Sequence, residues 1–246
     1  MRASTKVRVD QLLVERGLAD SREKARALII AGDVLIDGQK SDKPGRSVAS
    51  DSQVSVTARL PYVSRGGVKL AAALAHFSID VAGYICIDVG SSTGGFTDCL
   101  LQRGAARVWA IDVGHGQLDW KLRNDPRVVV REGVNARYLA PEDFSDKFDI
   151  AVCDASFISA TLLIPAIAPL LTQQGQMIIL VKPQFEVGKG EVGKGGIVRD
   201  PDQHRGACAR VQACVEALGF RTSIIESPIK GAEGNREFLL YAQRNS

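Results

Sequence analysis

The sequence predicts an α/β protein in which a small α+β domain precedes a Rossmann-like, doubly wound and mainly parallel sheet of seven strands. Beyond residue 67, apolar strand-like runs alternate with helical patterns, which is typical of a parallel sheet covered by helices. A glycine-rich turn at 88–96 joins one of these strands to a helix. The first 60 residues follow a different order, two helices before two strands, and this favours a separate domain.

Residues 1–60 are predicted to form this small domain. Its first helix begins near Val9 and ends at Gly17, because glycine commonly terminates helices. Ser21 is a suitable N-cap for the second helix, which runs to Ala31. Strands are expected at 34–36, before an Asp-Gly turn, and at 53–57, and residues 61–66 are assigned to a linker.

Residues 67–246 are predicted to form the larger domain. Helices are expected where apolar residues recur at helical spacing, at 68–77, 96–103, 158–171 and 202–218. Strands are expected at the short apolar runs 85–89, 107–111, 128–131, 150–153, 176–181, 222–226 and 237–242. Strands and helices in this order build a sheet with helices on both faces.

Composition is that of a globular protein and argues against membrane and secreted classes. The chain is 45% hydrophobic and 24% charged, which is ordinary. It has no apolar run near the roughly 18 residues of a membrane span, and its first residues lack the apolar core of a secretory signal. The cytoplasm is therefore the expected compartment. The five cysteines form no Cys-x-x-Cys pair and no pattern with histidine, so we expect buried cysteines and no metal site.

Positive charge is concentrated in the first domain. Residues 1–60 hold 11 Lys and Arg against 8 Asp and Glu, whereas the remaining residues hold 20 of each. The whole net charge of +3 therefore lies in the first quarter of the chain. An RNA-contacting domain uses such an excess against phosphates.

The turn DVGSSTGGF indicates a ligand site at the start of the second domain. Glycines let the backbone approach a ligand, and the following helix offers unpaired N–H groups. The spacing differs from the dinucleotide fingerprint, since Gly90 is followed by Ser-Ser-Thr. Asp88 suits a positively charged amino group, and Asp112, at the end of the next strand, suits ribose hydroxyls. Two acids in this register favour S-adenosylmethionine over a nicotinamide dinucleotide.

The candidate cofactor-binding set follows from this turn and the two strands after it. Asn135 follows the third strand and is placed to contact an adenine edge. The full set is Asp88, Gly90, Ser91, Ser92, Thr93, Gly94, Gly95, Phe96, Asp112 and Asn135.

The pattern VRVDQLLVERGLADSREKARALIIAGDVLIDG resembles the RNA-binding domain first described in a small-subunit ribosomal protein and shared by tyrosyl-tRNA synthetases and pseudouridine synthases. The resemblance rests on Arg8 and Asp10 before the first helix, Ser21-Arg22 at the start of the second, and the closing Gly-Asp-Val. It implies RNA contacts from the second helix. The candidate RNA-binding residues are Arg8, Ser21, Arg22, Lys24 and Arg26.

The second domain resembles the FtsJ-like ribose 2′-O-methyltransferases, whose active site is a Lys-Asp-Lys-Glu tetrad. The matching residues are Lys69 in SRGGVKL, Asp154 in VCDASF, Lys182 in LVKPQFE and Glu237 in GNREFLL. With the first domain in front, the whole chain resembles the TlyA family of rRNA cytidine 2′-O-methyltransferases, some of which are also labelled haemolysins. The resemblance implies S-adenosylmethionine as cofactor and ribosomal RNA or ribosomal subunits as partner, with no membrane and no obligate protein partner.

The chemistry of such a transfer indicates a role for each tetrad residue. A ribose 2′-hydroxyl must lose its proton as it attacks, and a lysine accepts that proton only if its pKa falls toward neutrality. Desolvation and a second cation lower such a pKa, so Lys69 is expected to act on Lys182. Asp154 is expected to orient Lys182, and Glu237 to hold Lys69 or the ribose. No metal is required, and alignment of the reacting atoms supplies much of the acceleration.

The segment after Lys182 is interpreted as a mobile loop. Residues 183–199, PQFEVGKGEVGKGGIVR, are too polar and glycine-rich for a core element. Such a loop can order over the active site when RNA binds.

Three alternatives to a ribose methyltransferase remain open at this point. A membrane-active haemolysin is opposed by the lack of an apolar span or a strongly amphipathic cationic helix. A non-catalytic RNA-binding assembly factor is opposed by the intact tetrad and glycine turn. A base methyltransferase is supported only by Cys153 beside Asp154, and by a distant likeness of Asp-Ala-Ser-Phe to an Asn-Pro-Pro-aromatic motif.

Overall fold

The computed structural model describes residues 5–30, 33–56, 61–188, 190, 192–193, 195–231 and 234–245. The chain divides into two compact units, Met1–Arg59 and Leu60–Ser246.

In its described residues, the first unit contains two helices and five short strands. The helices are α1 (Val9–Glu15) and α2 (Arg22–Ile30), and the strands are β1 (Lys6–Arg8), β2 (Val34–Ile36), β3 (Gln39–Lys40), β4 (Ser47–Ala49) and β5 (Val54–Val56). β1 pairs with β4, and β2 lies between β3 and β5, all antiparallel. The helices bury one apolar face each, with Leu12, Leu13 and Ile29 in the core. The strands β1, β3 and β4 were not predicted from the sequence, because strands of two or three residues carry too few positions for a period-2 pattern.

The N-cap predicted for α2 is confirmed. The Ser21 hydroxyl oxygen accepts a hydrogen bond from the Lys24 backbone N–H at 3.2 Å. This satisfies one of the donors that a helix leaves free in its first turn. Ala31, the predicted end of this helix, and Thr57, the predicted end of the second strand, lie outside the described residues.

The second unit is built around a seven-stranded sheet and confirms the predicted α/β fold. Its strands are β6 (Ile85–Val89), β7 (Arg107–Asp112), β8 (Val128–Glu132), β9 (Phe148–Cys153), β10 (Leu171–Val181), β11 (Phe220–Glu226) and β12 (Phe238–Arg244). Their order across the sheet is β11-β12-β10-β9-β6-β7-β8. The ladders from β10 to β8 are parallel, and β12 runs antiparallel to both of its neighbours. All seven predicted strands are present.

Helices cover both faces of this sheet. They are α3 (Arg65–His76), α4 (Gly95–Gln102), α5 (Trp120–Arg123), α6 (Ile164–Ile167), α7 (Pro183–Glu186) and α8 (Pro201–Glu216). Phe148, Ile111 and Val211 belong to the apolar cluster on one face, and Leu70 and Leu100 belong to the cluster on the other. Within the described residues, no helix is both long and apolar enough to cross a bilayer.

The prediction of a single helix at 158–171 is wrong. The segment forms a 3₁₀ turn at Ala160–Leu162, the short helix α6, and another 3₁₀ turn at Ala168–Leu170 before β10 begins at Leu171. Pro165 and Pro169 lie within it, and proline cannot donate the backbone hydrogen bond of a continuing helix. The apolar spacing was helical, but the two prolines break the helix into single turns.

The linker predicted at 61–66 is also corrected. The Val63 N–H donates to Asp98 Oδ2 at 2.8 Å, and the Pro61 carbonyl accepts from Gln102 Nε2 at 2.9 Å. The Tyr62 ring occupies the space where a side chain on Gly67 would lie. These residues pack on α4 as part of the second unit, and α3 begins at Arg65 rather than near 68. Pro61 indicates a boundary in the sequence, but the sequence does not show that Tyr62 and Val63 pack against the second unit.

Candidate active site

The glycine-rich turn after β6 brings two strand ends close together. Gly90 has φ +81°, and a Cβ there would lie 3.0 Å from the backbone of Asp154 and Ala155. Gly94 has φ +95°, begins α4 as its N-cap, and leaves no room for a Cβ beside Leu122. Any other residue at these two positions would carry backbone strain and displace its neighbours. The turn therefore sets the spacing between the ends of β6 and β9.

Asp112 lies at the end of β7 and supports this turn. Its Oδ2 accepts from the Ser92 N–H at 2.8 Å, and its Oδ1 accepts from the Gly114 N–H at 2.7 Å. Asp112 lines a cavity of about 520 Å³ together with Gly90 and Asn135. Asn135 also caps a 3₁₀ turn, because its Oδ1 accepts from the Arg137 N–H at 3.1 Å. With Ser92, which also lines it, the structure thus places four of the candidate cofactor residues around one cavity, which we call the cofactor cavity.

Most of the candidates from the turn line a smaller cavity next to it, and Gly90 and Ser92 line both cavities. This cavity has a volume of about 150 Å³ and is shared with Asp154 and Lys182. The candidate residues around it are Gly90, Ser91, Ser92, Thr93, Gly95 and Phe96.

Asp88 is not placed as expected. Its carboxylate is completely buried, and its Oδ2 accepts from both the N–H and the hydroxyl of Thr97, at 2.9 and 2.6 Å. Burial raises the pKa of Asp88 to about 7. Asp88 lines neither the cofactor cavity nor the smaller one. Asp88 therefore holds the first turn of α4 against β6 through Oδ2, whereas its buried Oδ1 has no hydrogen-bond partner among the described residues.

The four residues of the predicted tetrad lie around one cavity of about 670 Å³, which we call the tetrad cavity. Lys69 is carried by α3, Asp154 follows β9, Lys182 follows β10, and Glu237 directly precedes β12. Because parallel strands end at the same edge of the sheet, Asp154 and Lys182 meet where β9 and β10 terminate. Glu237 lies at the same edge because β12 is antiparallel to β10 and begins there.

The tetrad consists of two lysine–carboxylate pairs. Lys69 Nζ lies 2.6 Å from Glu237 Oε2, and both side chains are more than 90% buried. Lys182 Nζ lies 2.6 Å from Asp154 Oδ1 and donates to the Ser156 hydroxyl at 2.7 Å. The carboxylates offset the cost of burying the ammonium groups and hold them in one geometry. The pairing matches the expected partners, Asp154 for Lys182 and Glu237 for Lys69.

Ser156 and Phe157 also line the site, although neither was among the site residues predicted from the sequence. Both line the tetrad cavity and the cofactor cavity. Phe157 has φ +64° and is 92% exposed, and its ring lies 5.4 Å from that of Phe185. A bulky residue in this region of backbone space is uncommon and costs free energy. The surrounding fold therefore keeps the Phe157 ring exposed at a position that lines both cavities.

The segment predicted as a mobile loop is partly structured. Residues 183–186 form α7, and Glu186 is buried, where it accepts from the Ser159 hydroxyl and the Ala160 N–H. Val198, near the other end, is also buried. Lys189, Glu191 and Lys194 lie outside the described residues. The polar composition of the segment did not reveal these contacts, because they are made by single buried residues, Glu186 and Val198, near its two ends.

The RNA-binding candidates of the first unit are less free than expected. Arg8 donates to both carboxylate oxygens of Asp10, at 3.0 and 2.9 Å, and Arg22 donates to Oδ2 at 3.2 Å. Asp10 is fully buried, and the hydrogen bonds from Arg8 are the main cause that lowers its pKa to about 2. Arg8 and Arg22 therefore stabilise the unit, although each keeps about half of its side chain exposed.

The other candidates have different surroundings. Ser21 caps α2, and Lys24 forms an exposed pair with Asp20 at 2.6 Å. Arg26 is exposed on the same helix.

The cysteines are buried as expected, with Cys214 half-buried. Burial raises the pKa of the Cys153 thiol to about 12. A thiol that stays protonated at neutral pH is a poor nucleophile, so the position of Cys153 beside Asp154 gives no support to a cysteine-dependent base methyltransferase.

Each of the two units matches a known protein family. Residues 62–244 match the family described as FtsJ-like methyltransferase, and residues 7–54 match the S4 domain. The chain is 48% identical to the 16S/23S rRNA (cytidine-2′-O)-methyltransferase TlyA of Mycobacterium tuberculosis, over 96% of this chain and 89% of the relative. It is 42% identical to hemolysin A of Brachyspira hyodysenteriae, over 96% of this chain and 99% of the relative.

A solved structure confirms the fold over nearly the whole length. It is designated a hemolysin, from Streptococcus thermophilus, and superposes with a TM-score of 0.76 at 44% identity, covering 99% of this chain and 90% of the other. The chain therefore belongs to the FtsJ-like methyltransferase family and carries an S4 domain in front of its methyltransferase domain.

Proposed function

We propose that this protein transfers a methyl group from S-adenosylmethionine to the ribose 2′-hydroxyl of a cytidine in ribosomal RNA. The observation that carries the proposal is the meeting of two lysine–carboxylate pairs at a cavity that adjoins the cofactor cavity. The names of relatives that match nearly the whole chain support rRNA as substrate class and cytidine as target.

The residues of the cofactor cavity fit S-adenosylmethionine. Gly90 leaves the turn free of a side chain, Asp112 stands where ribose hydroxyls are bound in this fold, and Asn135 lines the same cavity. S-adenosylmethionine supplies a methyl group that is electrophilic because it is attached to a positively charged sulfur. The chain itself supplies the binding, the alignment and the proton transfer.

The two pairs have separate tasks in this proposal. Lys182, held by Asp154 and Ser156, receives the proton that the 2′-oxygen loses. To accept that proton, Lys182 must carry a neutral amine. Lys69 and Glu237, which are paired in a dry environment, position the ribose against the cofactor cavity.

RNA binding is assigned to the S4 domain and to an aromatic contact beside the tetrad. Residues 1–60, which include the S4 domain, hold the excess positive charge, which attracts phosphates. Phe157 offers its open face to an unstacked base, the usual way in which proteins hold single-stranded nucleotides. Ribosomal RNA or a ribosomal subunit is therefore the proposed partner.

The proposal is tested by mapping 2′-O-methyl groups on ribosomal RNA from cells with and without this gene. We expect at least one 2′-O-methylcytidine to disappear when the gene is deleted and to return with the native gene, but not with a Lys182→Ala copy. An unchanged methylation map would contradict the proposed substrate.

Replacing Asp112 with alanine should weaken S-adenosylmethionine binding. The variant loses a charged hydrogen-bond acceptor and releases the Ser92 and Gly114 N–H groups, so we expect a cost of about 1.5–3 kcal/mol in binding free energy. Calorimetry on the purified protein measures this directly. Asp119→Ala, which removes a helix cap outside the cavity, is the matched control. Unchanged affinity in Asp112→Ala would remove this residue from the cofactor site.

A further inference from the structure

Asn235 is a buried amide that ties together two segments of the tetrad cavity wall. Only 1% of its surface is exposed. Its Oδ1 accepts from the Val198 N–H at 2.9 Å, and its Nδ2 donates to the Gly196 carbonyl at 2.9 Å. Its backbone carbonyl accepts from the Gly231 N–H at 2.9 Å. One residue therefore fixes the segment 196–198 against Gly231, and Gly196, Gly231 and Asn235 all line the cavity.

Gly231 forms the wall directly behind the Glu237 carboxylate. A Cβ on Gly231 would lie 2.5 Å from Glu237 Oε1, so this glycine backbone packs against that oxygen. The other oxygen, Oε2, is the one that receives the hydrogen bond from Lys69 at 2.6 Å. The position of the carboxylate is therefore limited by Gly231 on one side and by Lys69 on the other.

We propose that Asn235 is a positioning residue for methyl transfer, acting through Gly231 on Glu237 and thereby on Lys69. A buried amide with both ends hydrogen-bonded selects one arrangement of the segments it joins. Here that arrangement sets the wall against which Glu237 rests. The inference rests on the proposed function, because the position of Glu237 affects the rate only if the Lys69–Glu237 pair takes part in transfer.

His204 provides a matched control within the same network. Its Nε2–H donates to the Val198 carbonyl at 3.0 Å, so it holds the segment 196–198 from another side, and its ring lies 5.8 Å from that of Phe238. A variant such as His204→Gln loosens Val198 but keeps the Asn235 side chain. Asn235→Ala keeps the backbone hydrogen bond to Gly231 but removes the two side-chain hydrogen bonds that hold residue 235, and therefore its carbonyl, in position. If Asn235 acted only by holding this segment, both variants would have the same effect.

The test is a cycle of four full-length proteins: native, Asn235→Ala, Glu237→Gln and the double variant. Single-turnover methylation of rRNA is measured together with cofactor affinity and melting temperature. We expect Asn235→Ala to slow transfer on the order of 10²-fold, as a small misplacement of reacting groups does, with cofactor affinity changed less than about threefold. In the Glu237→Gln background the same change should have almost no further effect, and His204→Gln should transfer at a near-native rate.

Two results would overturn the proposal. Equal slowing by Asn235→Ala in both backgrounds would show that Asn235 acts independently of Glu237, and equal slowing by His204→Gln would reduce its role to anchoring Val198. If Asn235→Ala does not fold, Asn235→Asp keeps the acceptor for Val198 and removes the donor to Gly196, and the same cycle applies. Native transfer by Glu237→Gln alone would instead contradict the proposed function.

Discussion

Lys182→Ala is expected to bind S-adenosylmethionine and RNA nearly as the native protein does and to show almost no turnover. Under the proposed function the Lys182 side chain contributes little to the affinity for either ligand, whereas the 2′-oxygen needs a proton acceptor as it attacks. Removing one general base typically lowers a rate by about 10²–10⁴. Single-turnover methylation with labelled cofactor, combined with calorimetry for both ligands, separates transfer from binding.

Lys182→Arg distinguishes a proton acceptor from a positioning charge. A guanidinium keeps a positive charge near Asp154 and Ser156 but stays protonated, so it cannot accept the proton. We expect this variant to be as slow as Lys182→Ala. Near-native turnover by Lys182→Arg would mean that Lys182 only positions the substrate and that another group receives the proton.

Removal of residues 1–59 is expected to abolish methylation of ribosomal RNA and to leave cofactor binding intact. The first unit has its own apolar core, and the segment removed carries the excess of positive charge. The candidate cofactor and tetrad residues all lie in the second unit. Filter binding of RNA and calorimetry of the cofactor measure the two activities on the same truncated protein. Full methylation by the truncated protein would contradict the assignment of RNA affinity to the S4 domain.

The choice of point variants in the S4 domain follows from the structure. Arg22 supports the buried Asp10, so replacing Arg22 also weakens the fold. Lys24→Ala with Arg26→Ala leaves that network intact and should weaken RNA binding while lowering its salt dependence, by about 0.7–0.9 in the log–log slope for each phosphate that is no longer neutralised. An Asp20→Ala protein, in which Lys24 loses its partner, is the control and should bind RNA no more weakly than the native protein.

The sequence was most informative where a residue's role depends on its place at the end of a strand. Asp154 and Lys182 directly follow apolar strands that parallel pairing brings to one edge of the sheet, so their proximity could be predicted. The role of Asp88 could not be predicted from its residue type and position, because an acid before a glycine turn can contact either a ligand or a helix N-terminus. Only the structure shows it hydrogen-bonded to Thr97.

Other features depend on contacts between distant residues and have no local pattern. Asn235 is bonded to Gly196 and Val198, which lie almost 40 positions away. The positive φ of Phe157 is imposed by the fold and is not suggested by its residue type. The two prolines that break 158–171 are visible in the sequence. They predict a broken segment if they are taken to outweigh the helical spacing of the apolar residues.

The most direct test of the central claim is to identify the methylated nucleoside. Purified protein is incubated with ribosomal subunits and isotopically labelled S-adenosylmethionine, and the RNA is digested to nucleosides and analysed by mass spectrometry, with Lys182→Ala as the matched control. The proposed function predicts label in 2′-O-methylcytidine with the native protein and almost none with the variant. Label on the cytosine base, or equal label from both proteins, would contradict it.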